Sequence, residues 1–281
     1  MVCRLRRRRN GGKHRRRFFW VNSGRWHYTK NRMLNAENII FLSLIIFAAS
    51  IVRGFTGFGL ALVAVPLIQF FMPVSDTAVF IALINAVFSV IYFRRSRELV
   101  RGQPLGRMAI WTGIGVAAGT LILKFINPAY IQLVWGLLII LIVFALARGF
   151  SFGISSDKSA MTLSGLFGGV LAGATGITGP PVAIILSSMK TPREKFNAVI
   201  SLFILFAVSY ALIFYLVAGL VKTETFLLAM CSVPALIAGL YTGDRLVSRI
   251  SQLTFSRIIY IVLVIMGLIT LYKGAKALMI L

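Results

Sequence analysis

Long apolar stretches separated by short polar seams run the length of this chain. They cover Ile39–Val52, Leu60–Phe71, Asp76–Phe93, Met108–Ile126, Ala129–Ala147, Met161–Met189, Asn197–Leu220, Thr225–Tyr241 and Ile258–Tyr272. A bilayer-spanning helix needs about 20 mostly apolar residues, and most of these runs come close to that length. The pattern predicts an all-α polytopic membrane protein with about eight transmembrane elements. Two of the stretches are interrupted by glycine and threonine, and these interruptions match. Gly54-Phe55-Thr56-Gly57 returns as Gly173-Ala174-Thr175-Gly176, 119 positions later (54 to 173). The same offset places Val63-Ala64 on Val182-Ala183, Leu67 on Leu186, Pro73 on Pro192, Ile81 on Ile200 and Leu83 on Leu202.

One register held through such a length points to an internal duplication, giving two related four-helix repeats with glycine-broken helices. The expected division is a basic tail over 1–37, a first membrane repeat over 38–148 and a second over 159–281. Corresponding interruptions in two halves of a membrane protein mark a secondary transporter whose site lies where the breaks meet.

Composition agrees with the pattern. The chain is 58% hydrophobic, against roughly 45–50% in soluble domains, and its mean hydropathy is +0.89. The net charge of +23 is uneven, because residues 1–37 carry 12 of the 30 Lys and Arg and a single acid, Glu37. Arginine clusters with following aromatics can bind nucleic acid or anionic lipid headgroups. Arg16-Arg17-Phe18-Phe19 is similar to a twin-arginine signal, but no apolar stretch of signal length follows it directly. The plainer expectation is a disordered tail held in the cytoplasm by its charge, or a true start near Met33 that leaves it out. Cys3 and Cys231 form no disulfide or metal-binding spacing.

Charge also predicts topology. The segment from Arg94 to Arg107 has five arginines against Glu98 and is expected inside. With the tail also inside, the broken stretch 39–72 should make one net crossing before Asp76–Phe93 makes another. Later charges conflict: Lys190, Arg193 and Lys195 favour a re-entrant second break, whereas Lys273 and Lys276 favour one that crosses.

An unwound backbone survives in hydrocarbon only where protein or a watery cavity surrounds it, and each half-helix beyond a break points free N–H groups at the gap. Gly54, Gly57 and Gly59 would permit positive φ with Thr56 offering a hydroxyl. Gly173, Gly176 and Gly179 would do the same with Thr175 and Thr178, before Pro180-Pro181 removes two donors. Gly115, Gly119, Gly165 and Gly169 are assigned instead to close helix packing. The acids outside the tail (Asp76, Glu98, Asp157, Glu194, Glu224 and Asp244) all fall at the ends of apolar runs or between them, and both histidines lie in the tail. Cation carriers and proton relays usually bury such groups, so an anion fits better. Arg53, beside the first break, is the sharpest charged candidate, with snorkelling as its ordinary alternative. Gln69, Asn85, Asn197 and Ser201 are polar positions in apolar runs that serve equally as ligands or as interhelical hydrogen-bonding pairs.

Over roughly residues 34–281 the chain resembles the sulfite exporter TauE/SafE family of membrane permeases. The resemblance rests on Gly54-Phe55-Thr56-Gly57-Phe58-Gly59 followed by Val65-Pro66-Leu67-Ile68, and on Gly165-Leu166-Phe167-Gly168-Gly169 leading to Gly176-Ile177-Thr178-Gly179-Pro180-Pro181. It implies two related four-helix halves and export of small anions such as sulfite or organosulfonates. The expectation is therefore an inner-membrane permease, not an enzyme, needing no cofactor and working by alternating access. Arg53, Gly54, Thr56, Gly57, Gly59, Gly173, Thr175, Gly176, Thr178 and Gly179 would form its substrate site. Its partners are a small anion and the bilayer, with anionic lipid for the tail. The competing expectation is a membrane scaffold whose tail binds acidic partners or nucleic acid.

Overall fold

The computed structural model of the chain describes residues 35–56, 59–96, 104–148, 156–187, 193–247 and 252–279. The basic tail before residue 35, the arginines at 97 and 101, Gly57 and Lys190 lie outside the described residues. Within these residues there is no strand, and the backbone forms ten helices. They are α1 (Ala36–Thr56), α2 (Leu60–Ile68), α3 (Val74–Ser96), α4 (Leu105–Phe125), α5 (Pro128–Ala147), α6 (Asp157–Thr175), α7 (Pro180–Ser187), α8 (Arg193–Val217), α9 (Thr223–Val247) and α10 (Gln252–Met279). Six of them, α1, α4, α5, α8, α9 and α10, are long and apolar enough to cross a membrane. The chain is a multi-pass membrane protein.

Local chemistry explains several boundaries. Proline begins α5 and α7, at the helix position where a missing N–H costs nothing. Asn127 Oδ1 caps α5 by accepting from the Ala129 N–H at 2.9 Å. Buried hydroxyls of Ser50, Ser89, Thr112 and Ser232 donate to carbonyls four residues earlier. Each is thereby satisfied within its own helix, as an apolar surrounding requires.

Glycine contacts fix the direction of each long helix relative to its neighbours. A methyl group on Gly115 would lie 2.4 Å from Leu166 O, and one on Gly119 would lie 2.2 Å from Val170 O. Contact therefore advances along α4 and α6 together, so these two helices are parallel. Gly239 sits on Phe47 and Gly243 on Ile51, so α9 and α1 are parallel as well. Gly267 meets Ile140 while Gly274 meets Leu133, which makes α10 antiparallel to α5. The backbones approach closely because these residues carry no side chain.

An ion pair relates α3 to the turn between α8 and α9. Lys222 Nζ lies 2.8 Å from each oxygen of Asp76, whose side chain is fully buried while that of Lys222 is half exposed. The start of α3 and the end of α8 therefore share one face of the molecule, called here the Asp76 face, and α9 starts from it. Since α1 parallels α9, Ala36 also belongs toward the Asp76 face. Helix α2 is almost wholly buried, and it carries the chain back from the end of α1 to the start of α3. The second break behaves alike: Gly168 of α6 lies against Val182 of α7 and Phe203 of α8, so α7 folds back along α6. The broken stretch 39–72, expected to cross once, is thus a hairpin that returns to its starting face. Its apolar arms differ in length, and packing of the short one against the core replaces passage through the bilayer.

Candidate functional site

Arg53 occupies the last turn of α1. Its side chain is 2% exposed, so it does not snorkel to water. Nη1 donates to Asn85 Oδ1 of α3 at 2.6 Å, and the guanidinium carbon lies 3.2 Å from the centroid of the Phe88 ring. A cation taken out of water needs such partners: an amide oxygen along its N–H direction and an aromatic face beneath its plane. Gly54 does not break the helix, which continues to Thr56. It allows α9 to approach, since a methyl group at Gly243 would lie 3.4 Å from the Gly54 Cα. Gly59 precedes α2 with φ −69°, so it takes an ordinary helical conformation rather than the positive φ expected of it. Gly57 and the side chain of Thr56 lie outside the described residues.

The second break is described throughout. Gly176 ends α6 in the left-handed conformation, φ 77°, and its N–H donates to Ala172 O at 2.8 Å. Among the described residues only Gly219 shares a positive φ. Thr175 Oγ1 donates to Leu171 O at 2.7 Å and accepts from the Ile177 N–H at 3.3 Å, so its hydroxyl fastens both sides of the break. Tyr215 Oη of α8 lies 3.0 Å from Ala172 O and 2.8 Å from Gly173 O and donates to these helix-end carbonyls. Thr178 and Gly179 are buried at the entry to α7, where Pro180 and Pro181 supply no N–H. Gly173 belongs to the α4–α6 seam, because a methyl group there would lie 2.3 Å from Val116 O. It joins Gly115, Gly119, Gly165 and Gly169, which pack as their spacing predicts.

One face of α3 meets both Arg53, beside the first break, and Gly176 of the second. Positions 78, 81, 85 and 88 follow the three- and four-residue spacing of a single helical stripe. Ala78 and Ile81 form the wall against Gly176: a Cβ on that glycine would lie 3.0 Å from Ala78 O and 3.3 Å from the Ile81 Cβ. Asn85 and Phe88 hold Arg53 of the first break. Ile81 and Asn85 are four residues apart, an axial distance of about 6 Å, so residues far apart in sequence meet through α3. The structure thereby brings Arg53, at the end of the first broken helix, close to Gly176 at the end of the second.

Tyr215 and Phe88 were missed by sequence reasoning. Tyr215 stands in an apolar run with nothing to distinguish it from a core aromatic. Phe88 falls three positions after Asn85, a usable sign only once Arg53 is known to face Asn85. Lys124 and Arg148 end their helices exposed, beside Phe125 and Phe144 respectively, as interfacial residues would.

The sequence profile of the family described as Sulfite exporter TauE/SafE matches residues 42–270. A curated relative from Cupriavidus necator, described as a probable sulfite/organosulfonate exporter TauE, is 22% identical over 237 residues, covering 82% of this chain and 92% of the relative. No solved structure matches the chain significantly.

Proposed function

The chain belongs to the sulfite exporter TauE/SafE family, a transporter rather than an enzyme family, and from that membership we propose that it moves a small oxyanion, sulfite or an organosulfonate, across the inner membrane by alternating access. The observation that carries the reading is that one stripe of α3 holds the buried Arg53 side chain, beside the first break, and packs against Gly176 of the second. Arg53 supplies charge, and Thr178 supplies a hydroxyl at the entry to α7, whose first two residues are prolines without an N–H. Gly54, Thr56, Gly57 and Gly59 shape the first side of the site, and Gly173, Thr175 and Gly176 the second. In a low-dielectric cavity each such donor counts for more than it would in water.

The helix pairings support two inverted halves, 38–148 and 159–281. Exchanging α1–α5 with α6–α10 turns the pair α1–α9 into α6–α4, α3–α9 into α8–α4, and α2–α10 into α7–α5, and each of these pairs is in contact. Pairs α3–α8 and α5–α10 map onto themselves. Since α4 runs antiparallel to its counterpart α9 through the chain of contacts above, the halves have opposite orientation, the arrangement that lets one site face either side in turn. Arg94, Arg95, Arg107, Arg148, Lys158, Arg193, Lys195 and Arg245 belong to the face opposite Asp76, which makes that face cytoplasmic by the positive-inside rule. On this reading Ala36 starts from the other side, which separates the basic tail from the loops it was expected to accompany.

Flux of radiolabelled sulfite, methanesulfonate, sulfate and acetate into proteoliposomes tests the function. Sulfite or the sulfonate should move, and Arg53→Gln should lower transport efficiency at least about tenfold, the scale of one lost hydrogen bond to a charged group. Movement of none of these anions, or an unaffected Arg53→Gln variant, would overturn it.

A further inference from the structure

The α3 stripe carries a polar atom that helix packing leaves unused. Asn85 is 1% exposed, and its Oδ1 accepts from Arg53. Because a guanidinium has donors only, this contact fixes which way the amide points. Its Nδ2 is then a buried donor, and it has no hydrogen-bond partner among the described residues. A buried donor without a partner is costly and uncommon. Such a donor is available to a group from outside the protein. Asn85 stands on the same stripe as Ile81, one helical turn from the residue that faces Gly176 of the second break, and in contact with Arg53 in the last turn before the first. An aspartate at this position would hold Arg53 at least as well but would cancel its charge, whereas an amide holds the guanidinium and leaves that charge for an anion.

We infer that Asn85 contacts the transported anion, its Nδ2 donating to one oxygen while Arg53 attracts the charge. This rests on the anion-permease reading above and deepens it, because it adds a neutral donor on the helix beside Arg53. Sulfite, sulfonates and carboxylates, with several oxygens on one centre, can accept from both donors at once.

The decisive variant is Asn85→Asp, which keeps the size of the side chain and the oxygen facing Arg53 but exchanges the donor for a negative charge, so retained sulfite transport in it is the outcome that excludes a contact between Asn85 and the anion. Full-length protein in proteoliposomes is assayed for uptake of radiolabelled sulfite. Both Asn85→Asp and Asn85→Leu should raise the KM for sulfite at least about tenfold. If Asn85→Asp retains the wild-type KM while Asn85→Leu does not, Asn85 only positions Arg53 and the inference is overturned. Thermal unfolding of each purified variant shows whether a loss reflects folding, and Asn85→Asp decides if Asn85→Leu unfolds. A wild-type chain that moves neither sulfite nor methanesulfonate defeats the permease reading itself, a result distinct from a transporting wild type matched by Asn85→Asp.

Discussion

Gly176 is the residue at which the backbone demand is clearest. Its φ of 77° lies in the region where an L side chain costs roughly 1–2 kcal/mol, and a Cβ would also press on the Ala78 carbonyl at 3.0 Å. Gly176→Ala should therefore lower the thermal unfolding midpoint of the purified protein, by about 1–2 kcal/mol of stability or somewhat more. Gly59→Ala, at an ordinary φ, should carry no such conformational penalty. Equal effects of the two substitutions would remove the conformational argument. The sequence presents these glycines as equivalent members of one repeated motif. They differ because one ends a helix, another begins one, and Gly173 faces the backbone of α4.

Between elements, the Asp76–Lys222 pair ties the start of α3 to the α8–α9 turn, and so joins one half of the chain to the other. Removing the lysine strands a fully buried carboxylate. Breaking a buried ion pair costs about 3–5 kcal/mol, and the half-exposed position of Lys222 reduces this to roughly 1–3 kcal/mol. Lys222→Gln should destabilise by that amount, whereas Asp76→Asn combined with Lys222→Gln should recover much of the loss. A double-mutant cycle of unfolding measurements reads the coupling directly, and additive effects would show that the pair contributes nothing. The glycine seam between α4 and α6 was legible as small-residue spacing, but its partner helix was not. Nothing in Gly115 and Gly119 says that Leu166 and Val170 will lie across them.

For the whole molecule, the proposed orientation yields a labelling experiment. Asn127, between α4 and α5, belongs to the Asp76 face, and Ser156, before α6, to the face with the basic loops. In a background lacking Cys3 and Cys231, an impermeant maleimide applied to right-side-out vesicles should label Asn127→Cys. Ser156→Cys should react only after permeabilisation. The reverse pattern would invert the proposed orientation. Charge counting along the sequence left the second half undecided because a basic residue's side depends on how many times the chain has crossed before it. The two returning hairpins change that count.

The residues alone determined that this is a helical membrane protein with two matching glycine breaks, because hydrophobic length and repeat register are properties of the chain in order. They also pointed to Arg53, the one basic residue beside a break. Tertiary structure decided what lies beside them: α3 sets Gly176 within about two helical turns of the side chains that hold Arg53, supplies Asn85 and Phe88 to a buried guanidinium, and leaves one amide donor turned away from it. Those choices depend on contacts between positions tens of residues apart, which helical periodicity cannot specify. Only packing brings Arg53, Asn85 and Gly176 to the same place.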